Sequence, residues 1–356
     1  MSATGREERI LGIIETARAK RPRFKDSAIT MAHGAGGKAT QTLIEGLFVP
    51  AYGGATLERM ADAGTAGGVF VTTDSFVVKP LRFPGGSIGE LAVNGTVNDL
   101  AVAGARPLAI TIAMILEEGL DSAVLRAEVD AIASAARAAG VEVVAGDTKV
   151  VERGHADGMY LATTGVGAPD PRARLSPQGL RPGDRVLLSG SIGEHGTAIM
   201  LARGEFELEA EVESDTRSLW PVADALLEAA GDGLRCMRDA TRGGVASVLN
   251  ELARASGVAM IVRERDVPVD PVVAGAAEIL GIDPMYVANE GKLVAFVAPE
   301  VADAALEALR SVEGCERAAE VGEVRTEPHG MVLVETSFGG RRVMDQLVGD
   351  PLPRIC

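Results

Sequence analysis

The stretch GELAVNGTVNDLAVAGARP, residues 89–107, joins a helical pattern to a strand-like pattern. Its apolar residues predict a helix over 88–103 that tolerates Gly95, and the apolar run over 108–116 predicts a buried strand. Asp99 interrupts this apolar segment, where a carboxylate is harder to explain as a helix cap. The stretch therefore predicts mixed α and β structure with an acidic side chain close to the core.

The sequence on both sides of this stretch continues to alternate between strands and helices. The first half has predicted strands over 69–74, 108–116, 141–145 and 159–167, and predicted helices over 88–103 and 122–139. The second half has predicted strands over 185–189, 258–263, 292–298, 320–324 and 331–335, and predicted helices near 193–203, 216–230, 243–256, 271–280 and 300–311. A Pro-Asp-Pro break at 169–171 separates the halves. We therefore predict an α/β protein of mixed α+β type with two domains.

This division gives four segments. Residues 1–27 form a charged N-terminal extension with a predicted helix over 7–20. The N-terminal domain covers 28–169, and the C-terminal α/β domain covers 170–340. The C-terminal tail, 341–356, ends in Pro-Arg-Ile-Cys.

Composition and charge limit the class of function. The 356 residues carry a formal net charge of −15 and few aromatic side chains, which disfavours binding to nucleic acid or to an anionic membrane. No segment has the pattern of a signal peptide or a membrane span. The cysteines are Cys236, Cys315 and Cys356, and their spacing fits neither a disulfide framework nor a zinc site. We expect a soluble cytoplasmic enzyme in a reducing compartment.

Four acidic motifs lie in different segments. They place Asp74 in TTDS, Asp99 in NGTVND, Asp147 in GDTK and Asp239 in RDATRGG. Oxygen ligands from several segments suit Mg²⁺, which binds a few carboxylates together with substrate phosphates. A helix cap or a turn is the alternative explanation for each aspartate, although Asp74 and Asp99 interrupt apolar segments.

A glycine cluster, HGAGGK over 33–38, has the composition of a phosphate-binding loop, because glycine lets backbone N–H groups approach an anion closely. It matches neither a Walker A loop nor GxGxxG. Lys149 is either a phosphate contact or an ordinary surface lysine. Glu290 and Lys292 would share one face of an extended segment, as a base beside a phosphate contact or as a solvated turn.

Cys356 is the last residue of the chain. A terminal thiol is a weak structural element, because chain ends are usually mobile unless they are docked. The thiolate is the nucleophilic form of cysteine, and the extended chain from Val348 to Cys356 would span at most about 28 Å. The sequence thus allows a mobile chemical arm or an uninvolved chain end.

The order of these motifs resembles one protein family. HGAGGK, TTDSFVVKP, GELAVNGTVNDLAVAGARP, AGDTKVV, DATRGGV, NEGKL and PRIC follow one another between His33 and Cys356. This order resembles the HypE family of hydrogenase maturation factors, within the aminoimidazole ribonucleotide synthetase superfamily. The resemblance implies a two-domain aminoimidazole ribonucleotide synthetase-like fold with a mobile C-terminal tail. It also implies a homodimer that pairs through the N-terminal sheets.

The resemblance implies an ATP-dependent carbamoyl dehydratase with ATP and Mg²⁺ as cofactors. In such proteins a HypF-like carbamoyltransferase loads the terminal cysteine, and ATP drives dehydration of the carbamoyl group to a thiocyanate. The cyanide then passes to a HypC–HypD-like iron scaffold complex and becomes a ligand of the nickel–iron hydrogenase centre.

The resemblance also implies roles for individual residues. Cys356 is expected to carry the substrate, and Glu290 is expected to act as the base, with His33 as its rival. Lys149 is expected to contact the phosphates. Further nucleotide contacts are expected from Gly34, Gly36, Gly37, Asn98, Thr148 and Lys292. The ligands of Mg²⁺ or of its water molecules are expected to be Asp74, Asp99, Asp147 and Asp239.

The sequence leaves two alternative functions open. The superfamily includes small-molecule kinases such as thiamine monophosphate kinase and selenophosphate synthetase. A kinase would not need Cys356, and a selenophosphate synthetase would carry a reactive Cys or selenocysteine near the glycine loop, whereas no cysteine precedes Cys236. The other alternative is a non-enzymatic maturation scaffold whose tail docks a partner, and turnover of ATP distinguishes it from an enzyme.

Overall fold

The computed structural model describes residues 22–54, 56–204, 210–349 and 354–356. The helix predicted over 7–20 lies outside the described residues. Within them, two mixed sheets carry helices, which confirms the predicted α/β class. No helix in the described part of the chain is long and apolar enough to span a bilayer.

The N-terminal domain is built on a five-stranded sheet with the order β1-β2-β7-β5-β6. Its elements in chain order are α1 (Lys38–Leu43), α2 (Val49–Tyr52), β1 (Gly64–Ala66), β2 (Val69–Phe76), β3 (Arg82–Phe83), β4 (Gly86–Ser87), α3 (Ile88–Val102), β5 (Ala105–Glu117), α4 (Ser122–Ala139), β6 (Glu142–Val151) and β7 (Met159–Pro169). Neighbouring strands are antiparallel except β5 and β6. Helix α3 packs on the sheet, and α4 packs on α3.

The C-terminal domain is built on a seven-stranded sheet with the order β14-β13-β10-β12-β8-β11-β9. Its elements in chain order are β8 (Arg185–Leu188), α5 (Glu194–Ala202), α6 (Trp220–Ala230), β9 (Leu234–Asp239), α7 (Gly244–Ser256), β10 (Ala259–Arg263), α8 (Pro271–Leu280), β11 (Leu293–Val297), α9 (Ala302–Ser311), β12 (Ala319–Arg325), β13 (Val332–Glu335) and β14 (Arg341–Met344). Strands β10 and β13 are parallel, and the other neighbours are antiparallel.

Helix α3 is buried on nearly all sides, which explains why its sequence is apolar all round. Its C-terminal residues Ala101 and Val102 share a core with Leu187, Leu219 and Leu226 of the C-terminal domain. The helix therefore belongs to both domains and brings Asp99 to their junction.

Several elements differ from the sequence prediction, and β9 (Leu234–Asp239), which carries Asp239, has no counterpart in it. Strand β6 runs to Val151 and includes the GDTK motif, because Gly146 fits where a Cβ would lie 2.6 Å from Ile112 O. Helix α6 starts at Trp220 instead of 216, with a proline in its first turn. Residues 341–344 of the predicted tail form β14, so the chain leaves the sheet only after Met344.

Candidate active site

Three carboxylates meet where α3 of the N-terminal domain faces β9 of the C-terminal domain. One oxygen from each of Asp62, Asp99 and Asp239 lies within 4.8 Å of the others. Thr72 Oγ1 lies 2.6 Å from Asp99 Oδ2, and Arg238 forms an ion pair with Asp62. This cluster contains two of the four predicted metal ligands.

Burial is the main cause of the electrostatic state of this cluster. It raises the pKa of Asp239 to about 8, with a further increase from the charge of Asp62. Burial and the charges of Asp239, Asp62 and Asp74 raise the pKa of Asp99 well above its ordinary value. A cation would stabilise the charged form of each carboxylate, and an all-oxygen donor set suits Mg²⁺.

Asp74, a third predicted ligand, lies on β2 beside the cluster. Its Oδ1 is 3.7 Å from Arg242 Nη2. Burial raises the pKa of Asp74, against the opposing charge of Arg242. Asp74 is therefore close to both the carboxylate cluster and Arg242.

The end of the tail, residues 354–356, is docked against the segment that follows β2. Val77 N donates to Cys356 O at 3.0 Å, and Lys79 N donates to Arg354 O at 3.3 Å. The predicted mobile arm therefore has a specific docked position, held through its backbone.

Arg354 anchors this end through its side chain. Its guanidinium pairs with Asp157 and lies 5.8 Å from the ring centroid of Tyr160. Its carbonyl oxygen also accepts from Arg203 Nη2 at 2.7 Å. Charged and aromatic contacts thus reinforce the backbone pairing.

Docking encloses the Cys356 thiol. The Cys356 side chain is buried and in hydrogen-bonding contact with the Arg242 guanidinium. Burial raises the pKa of the Cys356 thiol to about 12; Arg242 opposes this rise, and the charges of Glu290 and Asp74 add to it. The docked thiol is therefore neutral at pH 7 and shielded from solvent.

Glu290 lies beside the thiol. It is 3% exposed, and its Oε1 has no hydrogen-bond partner among the described residues. This atom lies 4.0 Å from His195 Nε2. Burial, and then the charges of Asp74, Asp239 and Asp215, raise the pKa of Glu290 well above its ordinary value. A buried carboxyl group without a hydrogen-bond partner is costly in a folded protein and typical of a functional site.

The backbone around Glu290 is firmly held. Asn98 Nδ2 donates to Glu290 O at 2.9 Å and to Arg217 O at 3.0 Å, and Asn98 Oδ1 accepts from Leu219 N at 2.7 Å. Each polar atom of the Asn98 side chain is thereby engaged within the chain. Asn98 was predicted as a nucleotide contact, and here it links the two domains and orients Glu290.

Lys292, also predicted as a nucleotide contact, is buried between two carboxylates. Its Nζ lies 3.3 Å from Glu194 Oε2 and 3.6 Å from Asp215 Oδ2. The segment 289–292 is not a strand, because β11 begins at Leu293. Glu290 and Lys292 were expected to share one face of an extended segment, but they do not lie on a strand.

The glycine loop closes the other side of the tail. Arg242 Nη1 donates to Gly34 O at 2.9 Å, and a Cβ at Gly36 would lie 2.7 Å from Arg242 O. A Cβ at Gly37 would lie 2.6 Å from Leu347 O. The glycines are therefore required, at least in part, for close packing against Arg242 and the tail.

A cavity of about 330 Å³ lies between this loop and the tail. His33, Gly34, Arg242 and Cys356 are among its lining residues. The His33 ring is already engaged, with Nε2 3.0 Å from Asp26 Oδ2 and Nδ1 3.0 Å from Thr30 N. The cavity thus brings together two predicted catalytic residues and one predicted nucleotide contact.

Asp147, Thr148 and Lys149 lie elsewhere. They are exposed on β6, the edge strand of the N-terminal sheet. Lys149 Nζ binds Asp147 Oδ2 at 2.7 Å and lowers the pKa of that carboxyl. Within one chain the structure does not bring these predicted site residues to the tail.

Sequence reasoning missed three residues of the site. Arg242 belongs to the DATRGGV motif, so its position was indicated although its role was not. His195 lies in an otherwise unremarkable Gly-Glu-His-Gly segment, and Asp62 precedes a three-residue strand without any motif. These residues come together only when the chain folds, so no local sequence pattern could have predicted their proximity.

Known proteins resemble the chain over both domains. The model of the AIR synthase related protein N-terminal domain matches residues 55–168, and that of the C-terminal domain matches residues 181–335. The carbamoyl dehydratase HypE of Bradyrhizobium diazoefficiens is 48% identical over 94% of this chain and 97% of its own length.

Solved structures give the same result. A HypE–HypF complex contains a chain with a TM-score of 0.82 and 43% identity, covering 86% of this chain and 99% of that one. A HypE structure in complex with ATP has a TM-score of 0.78 and 42% identity, covering 92% of this chain and 100% of that one. Both the fold and the sequence therefore agree with the resemblance inferred from the motifs.

Proposed function

The chain belongs to the carbamoyl dehydratase HypE family, and we propose that Cys356 carries the carbamoyl group that this ATP-dependent enzyme of hydrogenase maturation dehydrates. The observation that carries this assignment is the burial of the terminal thiol against Arg242 and Glu290, beside a cavity. A chain end without a function would not be expected to have its thiol enclosed among titratable groups.

The reaction balances without an external oxidant or reductant. The carbamoyl oxygen of Cys356–S–CO–NH₂ attacks the γ-phosphorus of ATP, and ADP leaves. A base takes the remaining N–H protons in turn, the C–O bond breaks, and phosphate departs with the oxygen to leave S–C≡N. Enclosure of the tail excludes water from this dehydration and holds the carbamoyl oxygen in place.

Glu290 is the proposed base. Its free Oε1 is buried beside Cys356, and its raised pKa makes its carboxylate a stronger proton acceptor than an exposed glutamate. Arg242 partly offsets the cost of ionising it. His33 remains the rival base, because it lines the cavity although both ring nitrogens are engaged.

Mg²⁺ is proposed at the carboxylate cluster. Asp99 and Asp239 would hold it, with Asp62 as an added ligand and Asp74 nearby, because these carboxylates raise one another's pKa and would be relieved by a cation. When bound, the ion neutralises the triphosphate charge. Arg242 and the backbone of the loop Gly34–Gly37 are the proposed protein contacts to the phosphates.

A homodimer is proposed through the β6 edge. Val144 and Val150 are exposed there, on a strand whose outer backbone groups can pair with another chain. The adjacent Asp147, Thr148 and Lys149 would then act on the site of the second copy. This arrangement accounts for functional motifs that lie away from the tail of their own chain.

Partners are proposed from the position of the thiol. A HypF-like carbamoyltransferase must reach Cys356 to load it, and a HypC–HypD-like iron scaffold must reach it to remove the cyanide. Since the docked thiol is buried, the tail must leave its docked position for both transfers. The proposed compartment is the cytoplasm, in line with three free cysteines.

The test is the mass of the C-terminal peptide after incubation with the carbamoyltransferase, carbamoyl phosphate and Mg-ATP. We expect a carbamoyl adduct on Cys356 that loses one water only when ATP is hydrolysed. ATP consumption with no adduct on Cys356 would instead favour a kinase of the same superfamily. An adduct without ATP turnover would favour a maturation scaffold.

A further inference from the structure

His195 lies at the start of α5, fully buried between the tail end and the core. Its Nε2 is 2.7 Å from the carbonyl oxygen of Ile355, the residue before Cys356. Its Nδ1 is 2.8 Å from Ser214 Oγ, and its ring is nearly perpendicular to that of Phe83, with the centroids 5.6 Å apart. The ring is thus bound to the last peptide of the chain and fixed on its other side.

These partners define the state of the ring. A carbonyl oxygen can only accept, so Nε2 must carry the proton, and Nδ1 of the neutral ring then accepts from the Ser214 hydroxyl. Burial lowers the pKa of His195, which keeps the ring neutral at pH 7. Ser214 Oγ is itself oriented by Thr216 N at 3.2 Å.

The bond to Ile355 differs in its partner from the other carbonyl bonds of the tail end. Arg354 adopts a left-handed backbone conformation with φ 57°, so these three residues do not form a regular extended strand. The carbonyl groups of Arg354 and Cys356 accept from Lys79 N and Val77 N. The Ile355 carbonyl lies between them and is met by the imidazole. Without this donor a buried carbonyl would lose its partner, which disfavours docking.

We propose that His195 is the positioning residue that holds the tail end in the register that presents Cys356 to Arg242 and Glu290. This inference rests on the proposed role of Cys356 as the residue that carries the substrate. The imidazole acts through the Ile355 peptide and takes no part in proton transfer. It fixes the direction in which the Cys356 side chain leaves the backbone.

Thiol accessibility tests the docking without ATP or a partner. In the full chain, the alkylation rate of Cys356 is followed by the mass of its peptide. His195→Met removes the donor, and we expect alkylation about tenfold faster or more. His195→Gln places an amide N–H near the position of Nε2 and should restore most of the protection. His329→Gln, at an exposed histidine whose Nδ1 lies 2.9 Å from Gly257 O, should leave the rate unchanged.

Cys236 and Cys315 are buried and serve as internal controls of folding. An unchanged Cys356 rate in His195→Met would overturn the inference. If all three cysteines react in that variant, it is unfolded, and the decisive measurement is then made on the His195 ring of the wild-type protein. Nitrogen-detected NMR should show a protonated, slowly exchanging Nε2 in His195, and this signal should be lost in a chain lacking residues 354–356. An identical signal in both chains would also overturn it.

The chemical step gives a separate readout. In carbamoylated His195→Met we expect slower single-turnover dehydration, an unchanged KM for ATP and no loss in the rate of carbamoylation. Dehydration at the wild-type rate would contradict the positioning role. Absence of thiocyanate in the wild-type protein would instead refute the proposed function, and the alkylation result would still stand on its own.

Discussion

The tail site and the β6 edge carry similar side chains in opposite surroundings. At the tail site Cys356 and Glu290 are buried, and the pKa of each is raised by desolvation. On β6 the Asp147 and Lys149 side chains are 62% and 70% exposed, and their ion pair lowers the pKa of Asp147. Burial thus decides the direction of the shift: it raises the pKa of the enclosed groups, whereas the exposed ion pair lowers the pKa of Asp147.

The side chains of a motif do not set its chemistry alone, because the pKa of each group depends on the residues that are packed over it. An exposed ion pair contributes about 0–1 kcal/mol to stability and is screened by salt. The same pair covered by a second copy would be desolvated and able to act on phosphate.

Cys356→Ala should abolish thiocyanate formation while the fold is retained, with a loss of about 1 kcal/mol in the free energy of unfolding. The reason is that the thiol is the proposed attachment point of the substrate. Peptide mass and thermal unfolding measure the two effects. Cys236→Ala, the same change at another buried cysteine, should retain product formation. Thiocyanate formed by Cys356→Ala would refute the arm hypothesis.

Glu290→Gln should slow dehydration by about 10²–10⁴-fold, because the amide keeps the shape of the side chain and cannot take the proton. Stability should not fall, since a buried carboxyl with a raised pKa is replaced by a neutral group. Single-turnover kinetics on the carbamoylated protein measure the rate, and Glu300→Gln at an exposed glutamate is the control. An unchanged rate of dehydration would show that Glu290 is not the base and would favour His33.

Val144→Lys should disrupt a dimer that forms through β6, because a charge on an edge strand opposes pairing. We expect a monomer in sedimentation analysis and dehydration slower by about tenfold, since Lys149 and Asp147 lose the second site. Val129→Lys, at an equally apolar exposed position on α4, is the control. Full activity of a monomeric Val144→Lys protein would show that dehydration does not need β6 residues from a second copy of the chain.

Raising the pH should release the tail. Docking raises the pKa of the Cys356 thiol from an ordinary 9.0 to about 12. A group whose pKa is raised in the docked state contributes its full stability below the ordinary pKa and loses it as pH rises towards the docked value. Between pH 9 and pH 10 the undocked fraction should rise by about fivefold.

Alkylation of Cys356, divided by that of a free Arg-Ile-Cys peptide at the same pH, measures this release. Cys236 reports any general unfolding. A ratio that is constant from pH 8 to pH 10 would show that burial of the thiol is not coupled to docking.

Local patterns were sufficient for most of the fold. Hydrophobic periodicity placed α3, α4 and most of the strands. The pattern failed at β6, where the predicted strand ended at residue 145 whereas the edge strand continues to Val151. It also missed β14, because four residues of an apparent tail become a strand only when β13 is beside them.

The sequence by itself determined the family and the ATP-dependent chemistry and singled out Cys356 as the candidate reactive residue, because each is written in contiguous motifs. Only the tertiary structure decided which groups meet. It brought Asp62 and Asp239 to Asp99, placed His195 on the peptide before Cys356, and left Asp147 on an open edge. The physical reason is that proximity and desolvation arise when distant segments pack together, and neither has a signature in the local order of residues.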